Sequence, residues 1–161
     1  MKLAALVCSK MKKIVASLVV VGLLLIGLRA DAQLKPTEAS LGKYKWKKRP
    51  LLIFTPSERN PDYVRQKETV QASARGIADR EMVVIELVGQ DKVYIDGVLQ
   101  RHQQSQALRK LFRVQPEAFA VLLVVKDGTE KSRYTGPAVM EEIFGRIDQM
   151  PMRRQEMREK E

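Results

Sequence analysis

Few residues of this chain carry side chains that could do chemistry, and they fall into small groups. Glu86 stands inside the apolar run Met82-Val83-Val84-Ile85-Glu86-Leu87-Val88. An acid in such a run is either a buried base with a raised pKa or an edge residue paired with arginine or lysine. Thr55, Ser57, Arg59 and Asn60 form a second group just before Pro61. Two hydroxyls, a guanidinium and the free amides of a helix start could converge there on an anion. Glu58 and Asp62 lower the positive potential at that point, and Asn60-Pro61 also reads as ordinary capping. His102, the only histidine, lies in the polar stretch Gln100 to Gln104 with no second histidine, cysteine or acid pair near it. That spacing supplies neither a metal-ligand set nor a Ser-His-acid triad.

The single cysteine, Cys8, precedes an export-type leader. Lys12 and Lys13 form a basic start, Ile14 to Leu28 an apolar stretch, and Ala30-Asp31-Ala32 an A-x-A cleavage site. The apolar stretch is short for a span of about 20 residues, so cleavage is favoured over an anchor. Residues 1–32 are therefore expected to be a removed signal peptide, with a mature chain starting near Gln33 in the periplasm or outside the cell. The mature chain then has no cysteine, which excludes disulfides, thiolate nucleophiles and redox pairs. Cleavage removes five of 29 basic and one of 19 acidic residues, so the net charge falls from +10 to +6. A surplus of that size suits an anionic surface or an acidic partner.

The basic residues are unevenly spread. Lys43-Tyr44-Lys45-Trp46-Lys47-Lys48-Arg49 is the densest run, with two rings interleaved. That composition could bind single-stranded nucleic acid, but in an exported chain the expectation is that Trp46 packs at the domain edge while the lysines stay wet. Arg109, Lys110 and Arg113 read as a solvated helix face. Arg153, Arg154 and Arg158, interleaved with Glu156, Glu159 and Glu161, read as a polar tail that could dock on an acidic partner or membrane.

These residues must be held by alternating strands and helices. Leu51 to Phe54, Met82 to Val88 and Phe119 to Val125 are continuous apolar runs of buried-strand length. Asn60 caps a helix from about Pro61 to Ala78, with Tyr63, Lys67, Val70, Ala74, Ile77 and Ala78 along one face and Gly76 weakening its last turn. Val93 to Leu99 is a small hairpin about Asp96-Gly97, read as an insertion. Ser105 caps a short helix that turns Leu108, Leu111 and Phe112 inward. Asp127-Gly128 turns into a strand over Glu130 to Tyr134, and a last helix carries Val139, Met140, Ile143, Phe144, Ile147 and Met150. A right-handed crossover makes the first two strands parallel and the Asp-Gly turn makes the last two antiparallel. The expected fold is α/β: a mixed four-stranded central sheet flanked by helices, with a small hairpin insertion.

That layout resembles thioredoxin. The strand Leu51 to Phe54, its loop and the capped helix look like the thioredoxin active-site unit, which places Arg59-Asn60-Pro61-Asp62 on the Cys-x-Pro-Cys motif. The proline matches and both cysteines are missing. The thioredoxin cis-proline would fall near Ala118, whereas Pro116 stands two residues early. More narrowly, Tyr44-Lys45-Trp46-Lys47-Lys48-Arg49, Leu51 to Ser57, Lys126-Asp127-Gly128 and Met150-Pro151-Met152-Arg153-Arg154-Gln155-Glu156-Met157 resemble the bacterial branch of the DUDES domains. The resemblance implies a thioredoxin-like domain of unknown function whose relatives occur as modules of extracellular animal proteins.

The expected organisation is a leader over 33–48, a thioredoxin-like domain over 49–150 and a charged tail over 151–161. The expected function is a redox-inactive binding or adhesion module of the cell envelope, with an envelope protein or anionic surface as partner. Nucleic acid is not expected, nor a membrane except through an uncleaved signal. No catalytic residue, metal or cofactor is assigned. Thr55, Ser57, Arg59 and Asn60 are the candidate anion or ligand site, and Trp46, Arg153, Arg154 and Met157 the candidate docking residues. The alternative is a thiol-independent enzyme using the pocket around Arg59, with Ser57 and Glu86.

Overall fold

The computed structural model describes residues 41–100 and 105–159. The leader, Cys8 and His102 lie outside the described residues. Strand β1 (Arg49–Thr55) is buried along its whole length and forms the sheet's inner axis. It pairs in parallel with β2 (Met82–Val88), matching Leu51 to Val84 and Phe54 to Leu87. On its other side it pairs antiparallel with β5 (Ala120–Val124), matching Leu52 to Leu122. Both neighbours are apolar runs, as a strand covered on two faces requires.

The sheet has six strands in the order β4-β3-β2-β1-β5-β6, which corrects the four-stranded expectation. The hairpin of β3 (Lys92–Ile95) and β4 (Val98–Gln100) is not an insertion apart from the sheet. It pairs along the open side of β2, setting Glu86 opposite Tyr94. An exposed β2 edge would leave a row of backbone donors and acceptors without partners, and the hairpin supplies them. Asp96 and Gly97 both take positive φ, 47° and 79°, as a tight two-residue hairpin turn demands. Strand β6 (Glu130–Tyr134) closes the other side against β5.

Side chains alternate between two apolar layers. One layer joins Leu52, Phe54, Ile85, Leu87 and Leu122 to Leu41 and to Leu108 and Phe112 of helix α3 (Ser105–Phe112). Leu111, expected to point inward, is exposed on that helix. Leu41 is buried, so the residues just before β1 belong to the packed domain. The other layer joins Leu51, Ile53, Val84, Val121 and Leu123 to Tyr63 of α1 (Pro61–Ala72) and to Met140, Ile143 and Ile147 of α4 (Met140–Asp148).

The first helix starts where Asn60 predicts. The Asn60 Oδ1 accepts from the backbone N–H groups of Asp62 and Tyr63 at 3.0 and 3.1 Å. The single helix expected to Ala78 is broken at Ser73, and α2 (Ala74–Asp79) follows. Gly76 does more than weaken a turn. A Cβ there would lie 2.5 Å from Cε2 of Phe144, so the missing side chain lets α2 close onto α4. Residues 151–158, expected as a charged tail, form helix α5 (Pro151–Arg158) with Arg153 buried.

Candidate functional site

The loop after β1 does not gather its polar groups around a common point. The Thr55 hydroxyl is buried and donates to the Ser57 carbonyl at 2.9 Å. Asn60 spends its side-chain oxygen on capping α1. Ser57 and Arg59 are exposed. The carboxyl ends of β1 and β2, where open α/β sheets usually leave a crevice, are filled from inside by Arg109. This residue, expected on a solvated face, is only 4% exposed. Its guanidinium donates to the carbonyls of Thr55 at 2.7 Å, Leu87 at 3.1 Å, Gly89 at 3.1 Å and Gln115 at 3.1 Å. Burial pushes its pKa below the ordinary value. One side chain thereby donates to four carbonyls at this end of the sheet, two of which, those of Thr55 and Gln115, also accept backbone N–H groups from Gly89 and Ala118.

A cleft of about 480 Å³ opens on the opposite layer, between α1–α2 and the β3–β4 hairpin. Val70, Ile77, Met82 and Val84 give it apolar walls, and Lys48, Lys67 and Glu86 bring charge to it. Glu86 is 5% exposed and accepts a hydrogen bond at Oε2 from the hydroxyl of Tyr63. No described residue donates to its Oε1, and the residue lines the cleft. Burial, then the hydrogen bond and charge of Glu86, hold the Tyr63 phenol protonated far above the usual tyrosine range. A neighbouring hollow of about 420 Å³ shares Lys67 and Gln71 and is bounded by Glu58 and Tyr94. There the Glu58 carboxylate accepts from Tyr94 at 2.8 Å and Lys92 at 3.0 Å. The cleft size and the mix of apolar walls with few polar groups fit a small-molecule or peptide side-chain site.

The four docking candidates are not brought together. Trp46 is 60% exposed rather than packed at an edge. Arg154 is exposed and Met157 half-buried on α5. Arg153 is turned inside, where it donates to the Asp79 carbonyl at 2.9 Å, to the Asp79 carboxylate and to Asp148 at 3.3 Å. It belongs to a larger set of buried charges. Arg49, 1% exposed, donates to Glu156 and to the Arg80 carbonyl. Lys126 joins Glu81 at 2.5 Å and Glu156 at 2.6 Å, and Arg80 joins Asp148 at 2.6 Å. Helix α5 is thus bound to β1, α2 and α4 by ion pairs. Sequence reasoning missed Arg49, Arg109 and Arg153 as interior residues. The one available signal was their place beside fold-forming runs, Arg49 at the start of the strand that is buried throughout.

The comparisons with known proteins agree in extent. A family model described as "Domain of unknown function (DUF4174)" matches residues 40–156. Coiled-coil domain-containing protein 80 of Danio rerio is 32% identical over 136 residues, which cover 74% of this chain and 16% of that protein. Sushi repeat-containing protein SRPX2 of Homo sapiens is 30% identical over 135 residues, and the human SRPX protein 29% over 133; each match covers 81% of this chain and 29% of the relative. The chain therefore spans less than a third of the length of these relatives. Among solved structures, a thioredoxin peroxidase I of Plasmodium yoelii aligns with a TM-score of 0.48 and 14% identity, over 67% of this chain and 75% of that one. With more than half its length matched by the family model, the chain belongs to the DUF4174 family of domains of unknown function.

Proposed function

We propose that this protein is an exported, redox-inactive binding module of the cell envelope, thioredoxin-like in fold and a bacterial member of the DUDES type. Its ligand-holding part is the cleft between α1–α2 and the β3–β4 hairpin. The observation that carries the reading is Glu86, a nearly buried carboxylate that lines an apolar-walled cleft, with one oxygen held by Tyr63 and no described donor on the other. A group so placed recognises a hydrogen-bond donor or cation on an otherwise apolar ligand. Export is supported by the leader before Gln33, and the lack of redox chemistry by Arg59 and Asp62 at the thiol positions.

A photo-crosslinking amino acid at Gln71, which lines both hollows, tests the binding role in envelope preparations. A discrete crosslinked species is expected, and its loss when Ala74→Trp fills the cleft without lowering the melting temperature. Labelling that is diffuse, or unchanged by Ala74→Trp, would overturn the cleft as the binding part. Mass spectrometry of the same preparation reads the start of the chain, and a retained 14–28 segment would overturn cleavage.

A further inference from the structure

The run Lys43 to Arg49 is divided by the fold. Arg49 turns inward to Glu156, while Lys43, Lys45, Lys47 and Lys48 all remain exposed. None of these four lysines forms an ion pair among the described residues. Asp127 lies within the field of Lys45, and its carboxylate is already held by Thr129. Lys48 also lies on the rim of the cleft. An ordinary solvated surface intersperses the two signs of charge; here four lysines stand within six residues with no acid among them.

Between them Trp46 is held out rather than left loose. It takes a left-handed backbone, φ 64°, which a bulky residue adopts only under constraint. The constraint is visible: its N–H donates to the Lys126 carbonyl, and the N–H groups of Lys47 and Lys48 both donate to the Tyr44 carbonyl at 2.9 and 2.8 Å. The turn is anchored at its two ends by buried Leu41 and buried Arg49. The indole nonetheless keeps 60% of its surface in water, with the Lys45 ammonium 5.8 Å from its ring centre. A fixed, exposed indole in a turn of exposed lysines combines the two features that hold proteins at an anionic bilayer: an amphipathic ring at headgroup depth and lysines against the negative surface.

We propose that the Lys43–Lys48 turn is a docking point for anionic phospholipid bilayers, Trp46 entering the headgroup boundary and the four lysines facing the phosphates. Single-stranded nucleic acid fits less well. Platforms for it stack successive bases on successive rings, and the second ring here, Tyr44, packs against the inner apolar layer. The proposal stands apart from the cleft and does not depend on what the cleft binds.

Trp46 is the only tryptophan of the chain, so its emission reports this turn alone. The test titrates the full chain with phosphatidylcholine vesicles, with and without phosphatidylglycerol. A blue shift is expected only with phosphatidylglycerol, reversed by high salt. Each Lys→Gln change at 43, 45, 47 or 48 should weaken binding about fivefold, with the melting temperature unchanged. The variants share residues 1–32 with the parent, so any contribution of that segment cancels in the comparison. No shift with phosphatidylglycerol vesicles, or equal shifts in parent and lysine variants, would overturn the proposal. So would a shift produced by a single-stranded oligonucleotide and not by vesicles.

Discussion

Arg49 and Glu156, 107 residues apart in the chain, meet in a two-pronged pair: Nη2 donates to Oε1 at 2.9 Å and Nη1 to Oε2 at 3.2 Å. The same Oε1 accepts from Lys126 at 2.6 Å. One carboxylate on the last described helix therefore neutralises two cations that the fold has taken out of water. Removing it leaves Arg49 buried with no carboxylate and Lys126 with Glu81 alone, which costs more than the pair itself contributes.

Glu156→Gln should therefore lower stability by about 3 kcal/mol, read from the midpoint of a urea melt. Deleting residues 151–161 should cost at least as much, because it also removes the Arg153 contacts to Asp79 and Asp148. A truncated chain as stable as the full one would mean that α5 is not part of the cooperative unit.

Acid should weaken the same contact. Burial alone would raise the Glu156 pKa, but the hydrogen bonds from Arg49 and Lys126 outweigh it and hold the carboxyl below its ordinary value of 4.5. A group whose folded pKa is depressed adds stability above its unfolded pKa and loses it as pH falls through the folded one. Stability should thus be level in Glu156 from neutral pH down to about 4.5 and decline below it. Melts of the parent and of Glu156→Gln over that acid range check this; the variant should show the shallower decline.

Arg109→Lys should be strongly destabilising although it keeps the charge. A lysine nitrogen cannot span the carbonyls of Thr55, Leu87, Gly89 and Gln115, so most of the four hydrogen bonds that the guanidinium makes are lost from a buried site. A loss of about 2–4 kcal/mol is expected from that count. Denaturant midpoints measure it, and amide exchange at the carboxyl ends of β1 and β2 should quicken in parallel.

Gly76→Ala sets two effects against each other. The added methyl favours the helix by about 1 kcal/mol, but it meets the Phe144 ring, over which the Arg80 guanidinium lies at 4.4 Å. Arg80 is itself tied to Asp148, so the ring has little room to yield. Overpacking of about 1–3 kcal/mol should win and lower the melting temperature. Phe144→Leu in the same chain should recover part of the loss, a coupling that a double-mutant cycle measures.

What the sequence makes readable is what depends on neighbours a few residues away. The apolar runs gave β1, β2 and β5, the Asn60-Pro61 pair gave the start of α1, and Asp96-Gly97 gave the hairpin turn. The six-stranded sheet was not readable, because whether a hairpin joins a sheet is decided by the edge it finds, here that of β2. The interior arginines were hidden for a related reason. Periodicity places charged residues outside, and the partners that draw Arg49, Arg109 and Arg153 inside lie 107, 54 and 74 residues away in sequence. Of the candidate site, Glu86 stood out as an acid in an apolar strand. Its donor, Tyr63, looked like one more residue on an apolar helix face.

Arg49 also bears on how the chain is made. A polypeptide leaves a ribosome, or enters a translocation pore, amino end first. By the time β1 and β2 are out, Arg49 has no counter-charge, and it gains none until residue 156 follows. Through that interval the guanidinium can reach the Arg80 carbonyl but no carboxylate partner of its folded state. The interior place of Arg49 is thus completed only once α5 has arrived to supply Glu156.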